Sequence, residues 1–337
     1  MNFKHGGDIT EFAKDIRCKK DEIIDLSSNI NFIKPKIDID LNNLDILSYP
    51  NYNNLKKAIA KNYNININQL ELFNGASTAI YSLFREFELT ECSLYAPLYL
   101  EYKKSAILNG YNIQYINRFD NIYQEIKENS LVVFVNPSTP DGEFYNIYPL
   151  LKKWIDKNAT ILIDESFLDF TYFQSAIKYI NSYNKLYIIK SMTKFYGSAG
   201  IRIGAIISNN QNIEDIHGKE PLWKISEFDS AYIQSALKDS EFNQKSIIVN
   251  QKNRDRVIEI LRRSRYIEKV YPSSANYVLI KLKDIKSQEF QKRLIPYKIM
   301  IRECYNFDFL DSSFVRIAIK DDLVIDKLME ALCESFI

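Results

Sequence analysis

The sequence predicts an α/β fold, with a large domain whose mixed, mainly parallel sheet is sandwiched by helices, and a small α+β domain. Three observations indicate this. The chain has 337 residues, more than one compact core usually holds. Between about residues 70 and 210, short apolar runs alternate with stretches of helical spacing, a pattern typical of parallel strands covered on both faces. After about residue 226 the pattern changes to long helices and a few separate strands.

The predicted large domain contains strands and helices that alternate along the sequence. The run LELFNG at 70–75 reads as a strand that ends in a turn, and ASTAIYSLFREF after it has helical spacing. A second helix is predicted over IYPLLKKWIDK. The other predicted strands of this region lie at 92–97, 112–117, 131–137, 159–166, 185–191 and 203–209.

The C-terminal part has a different organisation. Helical spacing dominates roughly 228–265, and strands are predicted at 277–282, 298–303 and 314–319. We therefore expect three parts, which are an N-terminal arm over 1–35 packed on the small domain, a large domain over 36–225, and a small domain over 226–337.

Composition excludes several classes of protein. The formal net charge is +1, so nothing global indicates binding to nucleic acid or to a membrane surface. No apolar run approaches the ~18 residues that span a bilayer, and the N-terminus lacks the apolar segment of a signal peptide. The four cysteines (Cys18, Cys92, Cys304, Cys333) are far apart, without metal-ligand spacing, so we expect neither a metal site nor disulfides. A soluble cytoplasmic protein is the expectation.

Unusual residues cluster where predicted strands end. In an open α/β sheet, ligands bind beyond the carboxyl ends of the strands. The segments that fall at such ends are Asn74–Ser77, Pro97–Tyr99, Asn136–Gly142, Asp164–Phe167 and Ser191–Lys194. The sequence therefore predicts one ligand site at this edge of the sheet.

The chemistry of these residues indicates a particular cofactor. Asp164 ends an apolar strand, where a carboxylate is costly unless a cation meets it. Lys194 is a poor nucleophile at its ordinary pKa, and burial would lower that pKa. NGAS opens a helix, whose free N–H groups suit a phosphate, and Ser191 and Arg202 could add donors. An amine, a carboxylate for a ring nitrogen and a phosphate cradle together describe a pyridoxal 5'-phosphate site.

The sequence also resembles a known family along nearly its whole length. It is similar to fold-type I pyridoxal-phosphate enzymes of the aminotransferase class I/II superfamily. Within that superfamily it resembles histidinol-phosphate aminotransferases and, more closely, L-threonine O-phosphate decarboxylases of cobalamin synthesis. The segments that carry the resemblance are HGGDITEFAK, IDLSSNIN, YPNYNNLKKAIA, FNGAST, YAPLYLEY, NPSTPDG, DESFLDF, SMTKFYGSAGIRIG, SSANYVL, IMIREC and LDSSFVRIAI.

The resemblance implies roles for individual residues. The implied catalytic residues are Lys194, which joins the cofactor covalently and shuttles protons, Asp164, which pairs with the protonated pyridine nitrogen, and Tyr99, which stacks on the ring. The implied phosphate cradle consists of Ala76, Ser77, Ser191 and Arg202. Tyr49 is implied to reach the cofactor phosphate of a neighbouring subunit, so the resemblance implies a homodimer with shared active sites.

The substrate site and two departures from the family pattern are also implied. Arg316 is implied to bind the substrate carboxylate or to share its phosphate, and Arg302 and His5 to contact that phosphate. Thr139 stands where the family usually has Asn, and Phe167 where many relatives have Tyr. We therefore expect the phenolic oxygen of the cofactor to have one hydroxyl donor, Thr139, or none.

Every one of these residues also has a structural interpretation. Lys194 and Arg202 could be solvated loop charges, and Asp164 a helix cap. The tyrosines could be packing residues, His5 a surface residue, and Arg302 and Arg316 structural ion-pair partners. The loop GSAGIRIG could suggest a dinucleotide, but it lacks the G-x-G-x-x-G spacing.

We expect an enzyme that removes the α-carboxylate of a small O-phospho amino acid, L-threonine phosphate or L-serine phosphate. The alternative is aminotransfer on a small phosphorylated amine or ketone such as histidinol phosphate, with which the decarboxylases share almost every implied residue. HGG, SSNIN and IREC favour the decarboxylase. A third hypothesis is a non-catalytic regulatory or scaffold protein that binds the cofactor, which the intact lysine disfavours.

Overall fold

The computed structural model of the chain describes residues 7–334. The α-helices in this range are α1 (Ile9–Asp15), α2 (Asn53–Tyr63), α3 (Gly75–Glu86), α4 (Leu100–Leu108), α5 (Tyr148–Asp156), α6 (Met192–Phe195), α7 (Asn210–His217), α8 (Glu227–Ala236), α9 (Phe242–Arg262), α10 (Ser287–Leu294) and α11 (Asp322–Glu334). The strands are β1 (Ile24–Asp25), β2 (Leu70–Asn74), β3 (Glu91–Ala96), β4 (Asn112–Asn117), β5 (Leu131–Val135), β6 (Thr160–Asp164), β7 (Leu186–Ser191), β8 (Ile203–Ile207), β9 (Ile267–Val270), β10 (Tyr277–Leu282), β11 (Ile299–Met300), β12 (Arg302–Glu303) and β13 (Phe314–Ala318).

A seven-stranded mixed sheet forms the centre of the molecule, which confirms the predicted fold class. Its strand order is β2-β8-β7-β6-β5-β3-β4. Strand β8 is antiparallel to both of its neighbours, and the other pairs are parallel. Strands β2, β3, β5, β6 and β7 therefore run in one direction and end at the same edge of the sheet.

The central strands are apolar throughout because helices cover both faces of the sheet. Every residue of β5 is buried, as its continuous apolar run predicts. On one face Phe134 packs 5.4 Å from Trp154 of α5, whose indole N–H donates to the Tyr95 hydroxyl at 2.8 Å. On the other face Val133 and Leu162 belong to the core beneath α3 and α4. The site is thus carried by a rigid, two-sided core.

A second, smaller layer follows in sequence. Strands β9, β10, β12 and β13 form an antiparallel sheet in the order β12-β13-β10-β9. The N-terminal segment lies beside this layer, because β1 forms a separate two-stranded parallel sheet with β11. The Ala318 N–H of β13 donates to the Leu26 carbonyl at 2.9 Å. These pairings do not decide the two proposed domain boundaries, at 35/36 and 225/226, which stay a prediction.

One predicted strand is two strands in the structure. The segment predicted as a strand over 298–303 forms β11 and β12, with Ile301 between them. The break arises because β11 pairs with β1 whereas β12 pairs with β13, so the two halves belong to different sheets. Within residues 7–334, no helix is both long enough and apolar enough to cross a membrane.

Candidate active site

Most of the predicted site residues meet in one cavity of about 290 Å³ at the carboxyl edge of the large sheet. The small layer closes its other side. The predicted residues that line it are Ala76, Ser77, Tyr99, Thr139, Asp164, Phe167, Ser191, Lys194, Arg202, Arg302 and Arg316. Residues more than two hundred positions apart in sequence thus face a common space.

Two predicted residues are not part of this cavity. Tyr49 is 75% exposed and stacks on Trp223, with ring centroids 4.1 Å apart. Its predicted place is the site of a neighbouring subunit, and that role stays a prediction. His5 lies outside the described residues, so its predicted contact with the substrate phosphate also stays a prediction.

Lys194 belongs to α6, a single helical turn that directly follows β7. Because β7 ends at the carboxyl edge of the sheet, its position there places Lys194 in the wall of the cavity. Its amine makes no ion pair with any carboxylate among residues 7–334. Desolvation in the cavity and the positive charges of Arg316 and Arg202 lower the pKa of Lys194 to about 8, and Asp164 acts in the opposite direction. A substantial fraction of the amine is therefore neutral near physiological pH, as a nucleophile or proton carrier requires.

Asp164 is the last residue of β6 and is buried. One carboxylate oxygen, Oδ1, accepts from the Ser166 backbone N–H at 2.8 Å and from the Ser166 hydroxyl at 2.5 Å. The other, Oδ2, accepts from the Tyr102 hydroxyl at 2.8 Å. Burial raises the pKa of Asp164, while the hydrogen bonds from Ser166 and Tyr102 lower it. A carboxylate has about four lone-pair sites, so three donors leave room for one more.

The turn between β2 and α3 forms an anion cradle that depends on two glycines. Gly75 has φ +77°, and a Cβ there would lie 2.6 Å from Nη2 of Arg202. A Cβ on Gly204 would lie 2.4 Å from the Ala76 nitrogen. The side chain of Asn74 does not cap α3, so the first N–H groups of this 12-residue helix have no side-chain acceptor there. Helix N-terminus and guanidinium together suit a phosphate.

Arg202 completes this cradle from the strand side. It donates to the Thr193 hydroxyl at 3.3 Å and to the Ala199 carbonyl at 3.2 Å. No carboxylate in the described chain forms an ion pair with it. The charge of Arg202 is therefore available for an anion at the N-terminus of α3.

Aromatic residues line two sides of the cavity. Tyr99 is the N-cap residue of α4, and its hydroxyl lies 3.3 Å from that of Ser77. Its ring meets Tyr102 edge-on at 6.4 Å. Phe167, which also lines the cavity, packs edge-on against Tyr277 at 5.0 Å. Aromatic side chains of this kind can stack on a flat ring.

Arg302 and Arg316 lie directly opposite each other on β12 and β13. Both are buried, at 9% and 8% exposure. Arg302 donates to Asn306 Oδ1 at 2.9 Å, and Arg316 donates to the Thr139 hydroxyl at 3.3 Å and the Ser27 carbonyl at 2.9 Å. Nε of Arg316 is buried without a hydrogen-bond partner. Neither forms an ion pair within residues 7–334, which disfavours the structural ion-pair interpretation.

The structure adds residues to which the sequence reasoning assigned no individual role. These are Tyr102 and Ser166, which hold Asp164, Thr193, which accepts from Arg202, and the cavity-lining Ser27, Ser28, Asn29 and Phe307. For two of these residues, the spacing in the sequence contained a signal. Ser166 follows Asp164 by two positions, the spacing of an Asx turn, and Tyr102 follows Tyr99 by three, on the same side of a helix.

Comparisons with known proteins identify the family to which the chain is similar. The family model described as aminotransferase class I and II matches residues 23–332. The threonine-phosphate decarboxylase of Salmonella typhimurium is 25% identical, over 98% of this chain and 96% of that protein. The histidinol-phosphate aminotransferase of Methanocaldococcus jannaschii is 26% identical, over 96% and 92%. The crystal structure of the histidinol-phosphate aminotransferase from Clostridium acetobutylicum superimposes with a TM-score of 0.80 at 31% identity, over 92% of this chain and 98% of that one.

Proposed function

The chain belongs to the aminotransferase class I and II family of pyridoxal-phosphate-dependent enzymes, and we propose that it decarboxylates a small O-phospho amino acid. The substrates we propose are L-threonine phosphate and L-serine phosphate, and the product is a phosphorylated amino alcohol. The family accounts for the cofactor and the class of chemistry. The choice of substrate rests on the residues of the cavity.

The observation that carries the proposal is the pair formed by Arg302 and Arg316. Two like charges directly opposite each other on neighbouring strands repel, and their burial adds a desolvation cost. No carboxylate among residues 7–334 forms an ion pair with either guanidinium group, and the Glu303 carboxylate acts on Arg302 only from beyond ion-pair distance. A phosphomonoester dianion between the two guanidinium groups would supply the missing charge and accept from the free Nε of Arg316.

The residues present fit pyridoxal 5'-phosphate. We propose that Ala76, Ser77, Ser191 and Arg202 hold its phosphate, and that Asp164 accepts from its ring nitrogen through the one lone-pair site that remains. Tyr99 would lie against one face of the ring, with Thr139 and Phe167 on its phenolic side. When bound, the cofactor supplies an electron sink for the charge that develops at Cα as carbon dioxide leaves.

The chain's own groups would then bind, orient and move protons. Arg302 and Arg316 anchor the phosphate and so aim the substrate at Lys194. Because both arginines bind the phosphate, neither binds the α-carboxylate. No hydrogen bond from a guanidinium group is then lost when carbon dioxide departs. Lys194, with a pKa of about 8, can carry a proton back to Cα.

Aminotransfer on a phosphorylated amine or ketone is the second candidate, because relatives at similar identity bear both names. It would use the same cradle, lysine and arginine pair. We place decarboxylation first because the HGG, SSNIN and IREC segments resemble the decarboxylases. We also propose that the enzyme is a homodimer in which Tyr49 of one subunit reaches the cofactor phosphate of the other.

One assay separates the candidates. The holoenzyme is incubated with O-phospho-L-threonine, O-phospho-L-serine or histidinol phosphate, with and without 2-oxoglutarate, and carbon dioxide and glutamate are measured. We expect carbon dioxide from a phosphoamino acid without any need for 2-oxoglutarate. Glutamate formation without carbon dioxide would identify an aminotransferase, and neither product would favour a non-catalytic protein. Equal use of serine and phosphoserine would contradict the phosphate pocket.

A further inference from the structure

Tyr102 is the buried donor beside Asp164 to which the mechanism above assigns no role. It is wholly buried on α4, and its hydroxyl donates to Oδ2 of Asp164 at 2.8 Å. The two residues are 62 positions apart in sequence. The contact therefore arises only in the fold, and any function for it rests on the proposed function of Asp164.

The hydrogen bonds around Asp164 divide between its two oxygens. Ser166 occupies both lone-pair sites of Oδ1 with its backbone N–H and its hydroxyl. Tyr102 occupies one site of Oδ2. A single site on Oδ2 then remains for a donor in the cavity. Tyr102 thereby sets both the direction of that site and the electron density at the same oxygen.

Tyr102 can act only as a donor in this place. Complete burial and the neighbouring Asp164 carboxylate raise the pKa of Tyr102 well above its ordinary value. Its ring is also fixed, since it packs against Phe84 at 6.4 Å and edge-on against Tyr99 at 6.4 Å. The hydroxyl is therefore a protonated, immobile donor to Oδ2, the oxygen that would accept from the ring nitrogen of the bound cofactor.

We propose that Tyr102 is a positioning residue which keeps the shared proton on the cofactor's ring nitrogen rather than on Asp164. A donor to a carboxylate stabilises its anionic form and makes it less basic. Without that donor Oδ2 becomes more basic, and the proton between nitrogen and oxygen shifts toward oxygen. The ring is then a weaker electron sink, because its nitrogen carries less positive charge.

The test uses holoenzyme reconstituted with pyridoxal phosphate that carries ¹⁵N at the ring nitrogen, and reads the ¹⁵N chemical shift. The variant is Tyr102→Phe, which removes one oxygen and keeps the ring. The matched control is Tyr111→Phe. Tyr111 is also buried and packs on Phe84, but its hydroxyl donates to the Phe84 and Phe87 carbonyls, away from Asp164.

We expect Tyr102→Phe to move the ¹⁵N signal toward that of an unprotonated pyridine, and Tyr111→Phe to leave it in place. We also expect kcat to fall in Tyr102→Phe with KM unchanged, since no group that binds substrate is altered. An unmoved signal in folded Tyr102→Phe holoenzyme overturns the inference. So does an equal movement in both variants, which would indicate a loss of packing. Thermal unfolding of both variants monitors their folding.

Asp164→Asn separates this inference from the function on which it rests. If Asp164 pairs with the ring nitrogen, this variant gives the largest movement of the three. An unmoved signal in Asp164→Asn would overturn the assignment of Asp164, and Tyr102 would fall with it. A large movement in Asp164→Asn combined with none in Tyr102→Phe would overturn the role of Tyr102 alone.

Discussion

At the scale of single residues, burial pushes the two central ionisable groups toward their neutral forms. It lowers the pKa of Lys194 and raises that of Asp164. The arginines strengthen the first effect, because Arg316 and Arg202 disfavour a third positive charge in the same cavity. The lowered pKa of Lys194 is therefore due first to burial and then to the two arginines that we propose bind anions, so anions in the cavity should raise that pKa again.

The pKa of Lys194 predicts how reconstitution of the apoprotein depends on pH. Only the neutral amine attacks the aldehyde of pyridoxal phosphate, and the neutral form predominates above the folded-state pKa of about 8. The rate of appearance of the cofactor chromophore should therefore rise through pH 8 and level off above pH 9. Borohydride followed by peptide mapping should place the cofactor on Lys194. A midpoint near 10, or an adduct on another lysine, would contradict the assignment.

Asp164→Asn should abolish most turnover while the fold and the cofactor remain. The change is nearly isosteric, but it removes the negative charge that we propose keeps the ring nitrogen protonated. We expect kcat to fall by several orders of magnitude, because the carbanion loses its electron sink. Steady-state kinetics at saturating cofactor would measure it, with the absorption spectrum as the check of cofactor content. Near-normal turnover would mean that another group partners the ring nitrogen.

At the scale of elements, the site is assembled by close approaches between backbones. The N-terminus of α3 lies against β8, and β12 sets its arginine opposite that of β13. The one-turn helix α6 is tied to the N-terminal segment, because the Asn31 N–H donates to the Lys194 carbonyl at 3.0 Å. The Asn31 side chain donates to the Phe195 carbonyl at 2.8 Å.

Gly204→Ala should damage the phosphate cradle. The new Cβ would lie 2.4 Å from the backbone nitrogen of Ala76, and a backbone atom cannot swing away as a side chain can. We expect a loss of about 1–3 kcal/mol in the free energy of unfolding and weaker cofactor binding. Chemical denaturation and cofactor titration would measure both. The control is Gly200→Ala, where a Cβ meets nothing within 4 Å, and equal behaviour of the two variants would contradict the prediction.

Arg302→Gln should weaken the binding of substrate and increase the stability of the substrate-free protein. It removes one of two opposed buried charges, so the free energy of unfolding should rise by about 0.2–1 kcal/mol. Phosphorylated substrate should bind more weakly by about 1.5–3 kcal/mol for each charge-assisted hydrogen bond lost. The cofactor spectrum should not change. Thermal unfolding with and without inorganic phosphate would show stabilisation of the wild type but little of the variant.

The surface control for this comparison is Arg256→Gln. Arg256 pairs with Asp322 at 3.0 Å in an ion-pair network at the surface and does not line the cavity. The Arg256→Gln variant should bind substrate as the wild type does, and inorganic phosphate should stabilise it against unfolding to the same extent. A loss of stability in Arg302→Gln without phosphate would contradict the prediction, because it would show that the bond from Arg302 to Asn306 outweighs the repulsion between the two arginines.

At the scale of the whole molecule, the surface around Tyr49 carries exposed apolar side chains. Leu47 is 97% exposed, and Trp223 stacks on Tyr49. Residues of this kind are costly on a free surface when they are contiguous. This is consistent with the proposed homodimer, in which Tyr49 leaves its own subunit to complete the site of the other.

Subunit complementation tests that arrangement. Tyr49→Phe, assayed at limiting cofactor, and Lys194→Ala should each be poorly active alone. A mixed dimer has one site with both native residues, so equal co-expression should recover about a quarter of wild-type activity by random pairing. Tyr172→Phe, at an exposed tyrosine elsewhere, should be fully active. No recovery in proven mixed dimers would place Tyr49 in its own subunit or outside the site.

The amino-acid sequence by itself determined the class of fold and the edge of the sheet at which the site lies. Both follow from local patterns, since apolar periodicity specifies strands and helices, and parallel strands present their carboxyl ends together. Lys194, Asp164 and Arg202 could therefore be placed in one site from the segments that carry them. The cofactor followed from the chemistry of those residues.

Only the tertiary structure decided the contacts between distant segments. The donation from Tyr102 to Asp164, the register that sets Arg302 opposite Arg316, and the break between β11 and β12 each depend on strand pairing or helix packing. A one-residue change of register would turn an arginine to the other face of its strand without altering local propensity. Strand register and helix packing depend on contacts between segments that are distant in sequence, so no single segment determines them.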